Sequence, residues 1–280
     1  MNVNGQWLDT LSTWRKISLN TWSTPDNPTI HGLLEVDVGD LLELLDRRSE
    51  TSGVKCTMTH AVTRAIAMVL RRYPDANVLV RGRRIWARTD VDIFLQVAMP
   101  VAGADDKADL SGTVIRKADT KRVEQIAREL RDRAEAVRAK KDGQMAKTRG
   151  MFDRLPGPVL KASLATIGFL QYDLNLVLPG TPRDPFGSAM VTSVGMFGVS
   201  QAFAPLVTFS RCPMVALIGQ IEDRAVVRDG AIVSRPMCSI SGAFDHRILD
   251  GFLAGRVAGA LRSLLQKPEL LDLSPDEAIP

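Results

Sequence analysis

Two runs of β-forming residues joined by Asp229-Gly230 place the strongest constraint on how this chain folds. An Asp-Gly pair between such runs indicates a tight β-hairpin, because these residues accept the positive φ angles that the turn requires. The local patterns predict strands over 215–221, 225–228, 231–233 and 237–243, and then an apolar helix over 252–266. The C-terminal part of the chain is therefore expected to pair antiparallel strands directly before a helix.

A second group of predicted strands precedes this hairpin, and helices lie between the two groups. The same criteria predict strands over 29–38, 78–80, 84–88, 91–100 and 189–194, and helices over 8–22, 40–48, 57–72 and 120–141. Asp40 is a candidate cap for the helix that it begins, and the polar stretch 105–112 is typical of a loop. Strands and helices do not alternate regularly. This favours an α+β fold, a mixed β-sheet with helices packed on one side.

Composition narrows the class of protein. The 280 residues are 45% hydrophobic, which is ordinary for a globular chain with a sizeable core, and the net charge is only +4. The chain lacks the interleaved aromatic and basic residues of a nucleic-acid platform, so we expect no nucleic-acid partner. The three cysteines lack the spacing of a zinc site or a disulfide framework, so we expect no metal and a reducing, cytoplasmic compartment. The N-terminal residues show no secretion signal.

Residues 142–187 stand out because proline and glycine interrupt several short apolar runs. Membrane contact through residues 155–178 is one interpretation, and a helix that contacts another subunit is a second. The uncharged run is too short and too interrupted to cross a bilayer, which requires about 20 apolar residues in succession. The interpretation that we favour is packing of this segment on its own domain.

The most promising catalytic feature is the stretch 244–251, which reads Phe-Asp-His-Arg-Ile-Leu-Asp-Gly. His246 lies there between a predicted strand and the last helix, and an imidazole can act as a general base near neutral pH. Asp250 is expected either to orient a neighbouring group or to cap the helix, and Gly251 would permit a tight turn. A lone histidine before a helix is more often structural, so the motif alone leaves both interpretations open.

The other two histidines have weaker cases. His60 lies in the first turn of the helix over 57–72 and is expected to be structural. His31 lies on the first strand and could line a pocket. The three histidines do not show the spacing of metal ligands.

At this point the sequence resembles the catalytic domain of the 2-oxoacid dehydrogenase E2 components, the dihydrolipoamide acyltransferases, which share a fold with chloramphenicol acetyltransferase. The stretch 244–251 is similar to the family's aromatic-Asp-His-Arg-x-x-Asp-Gly signature. Family patterns are also similar to Tyr-Pro-Asp-Ala-Asn at 73–77, Val-Ile-Arg-Lys-Ala-Asp at 114–119 and Thr-Ser-Val-Gly-Met-Phe-Gly at 192–198. The resemblance covers about residues 14–271. It implies one acyltransferase domain over 1–280, with an atypical apolar insertion at about 142–187.

The resemblance implies a role for each site residue. His246 would be the general base that deprotonates the thiol of coenzyme A, or of dihydrolipoamide in the reverse direction. Thr192 would donate a hydrogen bond to the tetrahedral oxyanion, and Ser193 is the neighbour with which it could be confused. Asp250 would orient the site by pairing with an arginine of the N-terminal segment, for which Arg15 is the candidate. In the family the site lies between subunits of a trimer, so His246 and Thr192 would come from different subunits.

The sequence shows no segment similar to the lipoyl and peripheral-subunit-binding domains that family members usually carry. We therefore expect no covalently bound lipoyl group, and a lipoyl carrier supplied in trans. The implied partners are acyl-CoA, a thiol or lipoylated acceptor, a homotrimer or larger assembly of trimers, and 2-oxoacid dehydrogenase components. Two alternatives stay open. One is an acyltransferase of the same fold that acts on another small-molecule acceptor, and the other is a non-catalytic core or scaffold subunit of such a complex.

Overall fold

The computed structural model of the chain describes residues 28–101, 104–138, 156–179, 181–207 and 210–279. Its strands are β1 (Thr29–Asp37), β2 (Val78–Arg81), β3 (Arg84–Ala87), β4 (Ile93–Val101), β5 (Ala104–Ile115), β6 (Ala189–Ser193), β7 (Met214–Arg228) and β8 (Ala231–Asp245). Its helices are α1 (Gly39–Ser52), α2 (Met58–Arg72), α3 (Val123–Arg138), α4 (Gly157–Gly168), α5 (Gly251–Gln266) and α6 (Pro275–Ala278). The predicted helix over 8–22, which includes Arg15, lies outside the described residues, as does the end of the helix predicted over 120–141.

Six strands form one mixed sheet in the order β1-β8-β7-β6-β4-β5, and β2 and β3 form a separate hairpin. Neighbouring strands are antiparallel except around β6, which runs parallel to both β4 and β7. The main hydrophobic core lies between one face of this sheet and helices α1, α2, α3 and α5. A smaller apolar cluster on the opposite face packs against side chains from the segment 202–207. The predicted α+β class, a mixed sheet with helices on one side, is confirmed.

The hairpin at Asp229-Gly230 is longer than the local patterns predicted. β7 and β8 each run for 15 residues without interruption, where the sequence predicted four shorter strands. The pairing register shifts once, between Ile218 and Ile221, so one irregularity is absorbed inside the ladder. Asp229 and Gly230 have φ angles of 52° and 79°, as the predicted tight turn requires.

Two further predictions were wrong. The stretch 105–112 belongs to β5 instead of a loop, and it pairs with β4 at the outer edge of the sheet. An edge strand has only one neighbour and tolerates polar residues, which is why polarity misled the prediction. Asp40 does not cap α1, because it lies inside the first turn. The side chain of Asp37 instead accepts a hydrogen bond from the backbone N–H of Gly39, at 3.1 Å.

Helix α2 has an apolar face in sequence, yet it is buried on almost all sides because α3, α5 and α6 pack around it. Even Arg64 is only 5% exposed. Its guanidinium donates to the carbonyl oxygens of Leu271 (3.2 Å) and Leu273 (2.9 Å), and also to that of Asp119. A buried charge is tolerated here because each nitrogen of the guanidinium has an acceptor. In the part of the chain that the structure describes, the helices are too short or too polar to span a bilayer.

Candidate active site

His246 follows the last residue of β8 and begins the loop that leads to α5. Its backbone N–H donates to the carbonyl oxygen of Pro28 (2.8 Å), just before β1. The preceding Asp245 donates its backbone N–H to Pro213 (2.9 Å), just before β7. The two strands that flank β8 therefore fix the start of the loop, while the side chain of His246 remains exposed.

The hydrogen bond of the His246 ring determines which of its nitrogens can act as a base. Nδ1 lies 2.9 Å from the carbonyl oxygen of Leu249, three residues further along the loop. A carbonyl oxygen can only accept, so Nδ1 carries the proton and Nε2 keeps its lone pair. The side chain of Leu249 is fully buried, which anchors this carbonyl to the core. The loop thus holds an imidazole in one tautomer with a proton acceptor on its second nitrogen.

Asp245 organises the same loop, a role that the sequence pattern alone did not predict. Its side chain is 9% exposed and accepts hydrogen bonds from the backbone N–H of Arg247 (3.0 Å) and from two nitrogens of the Arg247 guanidinium (2.6 and 2.9 Å). Its carbonyl oxygen accepts from the backbone N–H groups of Ile248 and Leu249, each at 3.0 Å. These bonds fold 245–249 into a compact turn that presents His246. The aspartate next to the histidine in the motif was the signal that could have revealed this role.

Asp250 caps α5, as one of its two predicted roles required. Its Oδ1 accepts a hydrogen bond from the backbone N–H of Leu253 at 2.8 Å. The second role, orientation of the site through Arg15, stays a prediction because Arg15 lies outside the described residues. The tight turn expected at Gly251 is not found. Gly251 is the first residue of α5 without a positive φ, and a Cβ there would meet no atom within 4 Å.

Thr192 and Ser193 end β6, and their side chains point to opposite faces of the sheet because strand residues alternate. Thr192 is paired with Leu217 of β7, which in turn is paired with Ser241 of β8. His246 lies five residues beyond Ser241, which is about 17 Å along the strand. One chain therefore does not bring Thr192 to His246, as expected if the two residues belong to one site only across a subunit boundary.

His31 is exposed on β1, and its ring meets that of Phe203 edge to face, with centroids 5.5 Å apart. It is paired with Ala243 of β8, so it lies on the same face of the sheet as Thr192, away from the helices. A part for His31 in a pocket stays a prediction.

Neither a metal nor a cysteine nucleophile finds support among the residues that the structure describes. Their His, Cys, Asp and Glu side chains form no group of three or more that could hold a metal ion. The cysteines are buried and free of disulfide bonds. Burial raises the pKa of the Cys212 and Cys238 thiols to about 11, so these two groups stay protonated and unreactive at neutral pH.

The chain belongs to the family described as 2-oxoacid dehydrogenases acyltransferase (catalytic domain), whose model matches residues 12–152 and 186–273. It is 26% identical to the dihydrolipoyllysine-residue acetyltransferase component of the Bacillus subtilis pyruvate dehydrogenase complex, over 91% of this chain and 48% of that protein. It is 23% identical to the lipoamide acyltransferase component of the branched-chain alpha-keto acid dehydrogenase complex of the same organism, over 87% and 48%. The chain thus spans about half the length of the curated relatives it matches.

Solved structures show the same fold. A probable dihydrolipoamide acetyltransferase from Listeria monocytogenes superposes with a TM-score of 0.64 at 23% identity, covering 94% of this chain and 95% of its own. The cubic core of the pyruvate dehydrogenase multienzyme complex gives 0.66 at 22%, covering 89% and 85%. The dihydrolipoamide acetyltransferase of Azotobacter vinelandii gives 0.65 at 21%, covering 89% and 85%. The predicted family and fold are therefore confirmed, while residues 153–185 lie outside the family match.

Proposed function

We propose that this chain is a CoA-dependent acyltransferase domain that moves an acyl group between coenzyme A and a thiol such as dihydrolipoamide, on a lipoyl carrier supplied in trans. The family supports acyl transfer in general. The two Bacillus subtilis relatives, named for acetyl transfer to dihydrolipoyllysine and for acyl transfer to lipoamide, support the thiol acceptor. The observation that carries the proposal is the bond from His246 Nδ1 to Leu249, which leaves Nε2 as an exposed base.

In the proposed reaction His246 transfers one proton from the attacking thiol to the departing thiolate. Nε2 takes the proton from the attacking thiol, because the thiolate is the nucleophile and a thiol holds little thiolate at neutral pH, as cysteine with its pKa of about 8.5 shows. The thiolate adds to the thioester carbonyl, forming a carbon–sulfur bond and a tetrahedral oxyanion. Collapse of this intermediate breaks the original carbon–sulfur bond, and Nε2 returns its proton to the departing thiolate. The bond from Nδ1 to Leu249 stabilises the imidazolium in between.

Thr192 of a neighbouring subunit would donate the hydrogen bond that stabilises the oxyanion. The separation of Thr192 and His246 within one chain supports a homotrimer as the smallest active unit. Asp250 is included as a supporting residue. The Azotobacter vinelandii structure belongs to a study of a serine, a histidine and an asparagine in catalysis, with the asparagine four positions after the histidine, as Asp250 follows His246.

Larger assemblies and partners are part of the same proposal. The cubic core among the structural relatives supports an assembly of trimers that works with 2-oxoacid dehydrogenase components. The buried free cysteines support a reducing, cytoplasmic location. A second candidate function is transfer to another small-molecule acceptor. It is favoured by residues 153–185, which the family pattern does not include.

An activity assay with a matched histidine pair tests the proposal. The purified protein is given acetyl-CoA and free dihydrolipoamide, and kcat/KM is compared for wild type, His246→Gln and His60→Gln. We expect His246→Gln to lower kcat/KM about 100-fold or more, because a general base is lost. His60 lies in the buried cap of α2, so the same substitution there should leave the rate nearly unchanged. Equal rates for wild type and His246→Gln would exclude the mechanism.

The same assay distinguishes the alternatives. A faster reaction with an alcohol or amine acceptor than with dihydrolipoamide would establish the second candidate. A folded, trimeric wild-type protein that transfers no acyl group to any acceptor would instead identify a scaffold subunit.

A further inference from the structure

A cavity lies between the β2–β3 hairpin on one side and residues 171–178 and 182–184 on the other. The second side belongs to the stretch that the family match omits. Its volume is about 590 Å³, within the range of sites that bind small organic molecules. Asp92 lines the cavity and comes directly before β4. The first residues of β4 lie at the same end of the sheet as the last residues of β8, which lead to His246. Three strand spacings, about 14 Å, separate β4 from β8, so the cavity is distinct from the loop at His246.

Hydrogen bonds between the hairpin and the segment 171–184 close the two sides of this cavity. On one side, Arg81 Nε donates to the carbonyl oxygen of Tyr172 (2.6 Å), and the backbone N–H of Gly82 donates to Asp173 (2.9 Å). On the other side, Arg88 forms an ion pair with Asp184. These contacts tie the hairpin and the residue that follows it to the segment across the cavity at two places.

Arg88 has hydrogen-bonding capacity that the protein does not use. Its side chain is 9% exposed, and only Nη1 has a partner, Asp184. Nε and Nη2 are buried without a hydrogen-bond partner. Burial raises the pKa of Tyr172 above its ordinary value, so its hydroxyl remains a donor at neutral pH, and Asp184 is the acceptor beside it.

Unused donors therefore outnumber unused acceptors on these lining residues. An unpaired buried donor is costly, and Arg64 shows how the same chain satisfies a buried guanidinium elsewhere, with three carbonyl oxygens. At Arg88 only Nη1 has an acceptor, and Nε and Nη2 have none. Nε and Nη2 form one edge of the guanidinium, and their N–H groups can donate side by side to the two oxygens of a carboxylate.

The charges and the apolar wall indicate which anion fits. Four guanidinium groups and three carboxylates line the cavity, so the lining carries one net positive charge, which suits a monoanion better than a doubly charged phosphate. Apolar side chains complete the lining, and three of them are well exposed: Trp86 at 50%, Leu176 at 48% and Val177 at 68%. A hydrocarbon body lying against them would cover this surface.

We propose that this cavity binds a small organic monocarboxylate with an aliphatic or aromatic body. The carboxylate takes hydrogen bonds from the free edge of Arg88, and the body packs on Trp86 and Leu176. Because the donor atoms of Arg88 are buried in the unliganded chain, binding includes a rotation of this side chain toward the cavity. The site is independent of acyl transfer at His246.

Titration calorimetry on the whole chain tests the ligand class. The probes are 3-phenylpropionate, the neutral 3-phenylpropanol of nearly the same shape, and inorganic phosphate. We expect 3-phenylpropionate to bind with one site per chain, at least about tenfold more tightly than the alcohol, because hydrogen bonds to charged groups contribute that much. Phosphate should bind more weakly than the carboxylate. Equal affinity for acid and alcohol, or tighter binding of phosphate, would overturn the proposal.

Variants locate the site. Arg88→Gln should weaken 3-phenylpropionate binding at least about tenfold. This change also breaks a buried ion pair and can unfold the chain, so a safer pair is made at the half-exposed Leu176. Leu176→Glu adds a negative charge to the wall and should weaken binding about tenfold, whereas the neutral Leu176→Gln should change it about threefold or less. Equal affinity in the two Leu176 variants would place the ligand elsewhere. The readout is binding alone, so an inactive His246 does not affect the outcome.

Discussion

Two arginine–aspartate pairs lie at the same end of the sheet, and they are opposites in burial. In the loop at His246, Arg247 is 53% exposed while Asp245 is 9% exposed. In the cavity, Arg88 is 9% exposed while Asp184 is 26% exposed. The buried Asp245 receives hydrogen bonds from both backbone and guanidinium, whereas the buried Arg88 leaves two nitrogens unpaired.

The difference separates two uses of a polar cluster. Around His246 the ion pair and the backbone hydrogen bonds hold one turn in place. The exposed ring keeps the lone pair on Nε2. Around Arg88 two of the three guanidinium nitrogens have no hydrogen-bond partner in the protein. The first arrangement fits chemistry on a substrate that approaches from outside. The second fits a ligand that supplies the missing hydrogen-bond acceptors.

Removing the aspartate from each pair gives the largest expected effect. Asp184→Ala would leave a buried guanidinium without its ion-pair partner, and we expect a loss of about 3–5 kcal/mol in the free energy of unfolding. Asp245→Ala would leave an arginine that water can reach, and should cost about 1–2 kcal/mol. Urea unfolding at one fixed protein concentration measures both. Losses of equal size would show that burial does not distinguish the two pairs.

The next test concerns the distance between Thr192 and His246. Thr192→Val should lower kcat about 100-fold to 1,000-fold, because an oxyanion donor is removed, while Thr192→Ser keeps the hydroxyl and most of the rate.

Mixed assembly makes this test sharper. If the site forms across subunits, trimers assembled from equal amounts of Thr192→Val and His246→Gln chains should regain about a quarter of wild-type activity, since that fraction of interfaces contains both native residues. Failure to regain activity in verified mixed trimers would place both residues in one subunit's site.

The last comparison concerns His60, the buried counterpart of the exposed His246. Its Nδ1 accepts the backbone N–H of Thr57 (3.0 Å), and burial lowers its pKa to about 4. The unfolded chain binds a proton near pH 6.5, so stability falls as pH drops from 6.5 toward 4, by up to about 3 kcal/mol.

His60→Gln keeps an acceptor at the cap position without a titrating group. It should remove this part of the pH dependence, measured as the difference between the two unfolding curves from pH 7 to pH 4. Identical slopes for wild type and variant would mean that His60 is not the responsible group.

Features with a local physical cause could be predicted from the sequence. The turn at Asp229-Gly230 and the cap at Asp250 depend on a few neighbouring residues, and both were found where predicted. The strand β5 could not be predicted, because its polar residues are strand only through pairing with β4. The burial of α2 on nearly all sides depends on three other helices, so its own periodicity could not show it.

The two polar clusters differ in the same respect. The His246 loop is continuous in sequence, so its residues could be recognised together, although the role of Asp245 and the lack of a turn at Gly251 appeared only in the structure. The cavity residues are spread from 79 to 184 and meet only through folding. The single hint was the unusual composition of 142–187, which indicated an irregular segment without its chemistry.

The partner of the His246 ring is a main-chain carbonyl, and this has a consequence for how such a domain can diversify. Had a side chain set the tautomer, one point mutation could have removed it. Because the carbonyl oxygen of Leu249 takes that place, the hydrogen-bond acceptor for Nδ1 depends on the backbone conformation of the loop and not on the identity of a side chain. Side chains outside the Asp245–Arg247 pair can therefore change around the site while the base stays oriented. A change in loop length, the loss of Asp245, or a change that displaces the anchoring leucine would turn it away.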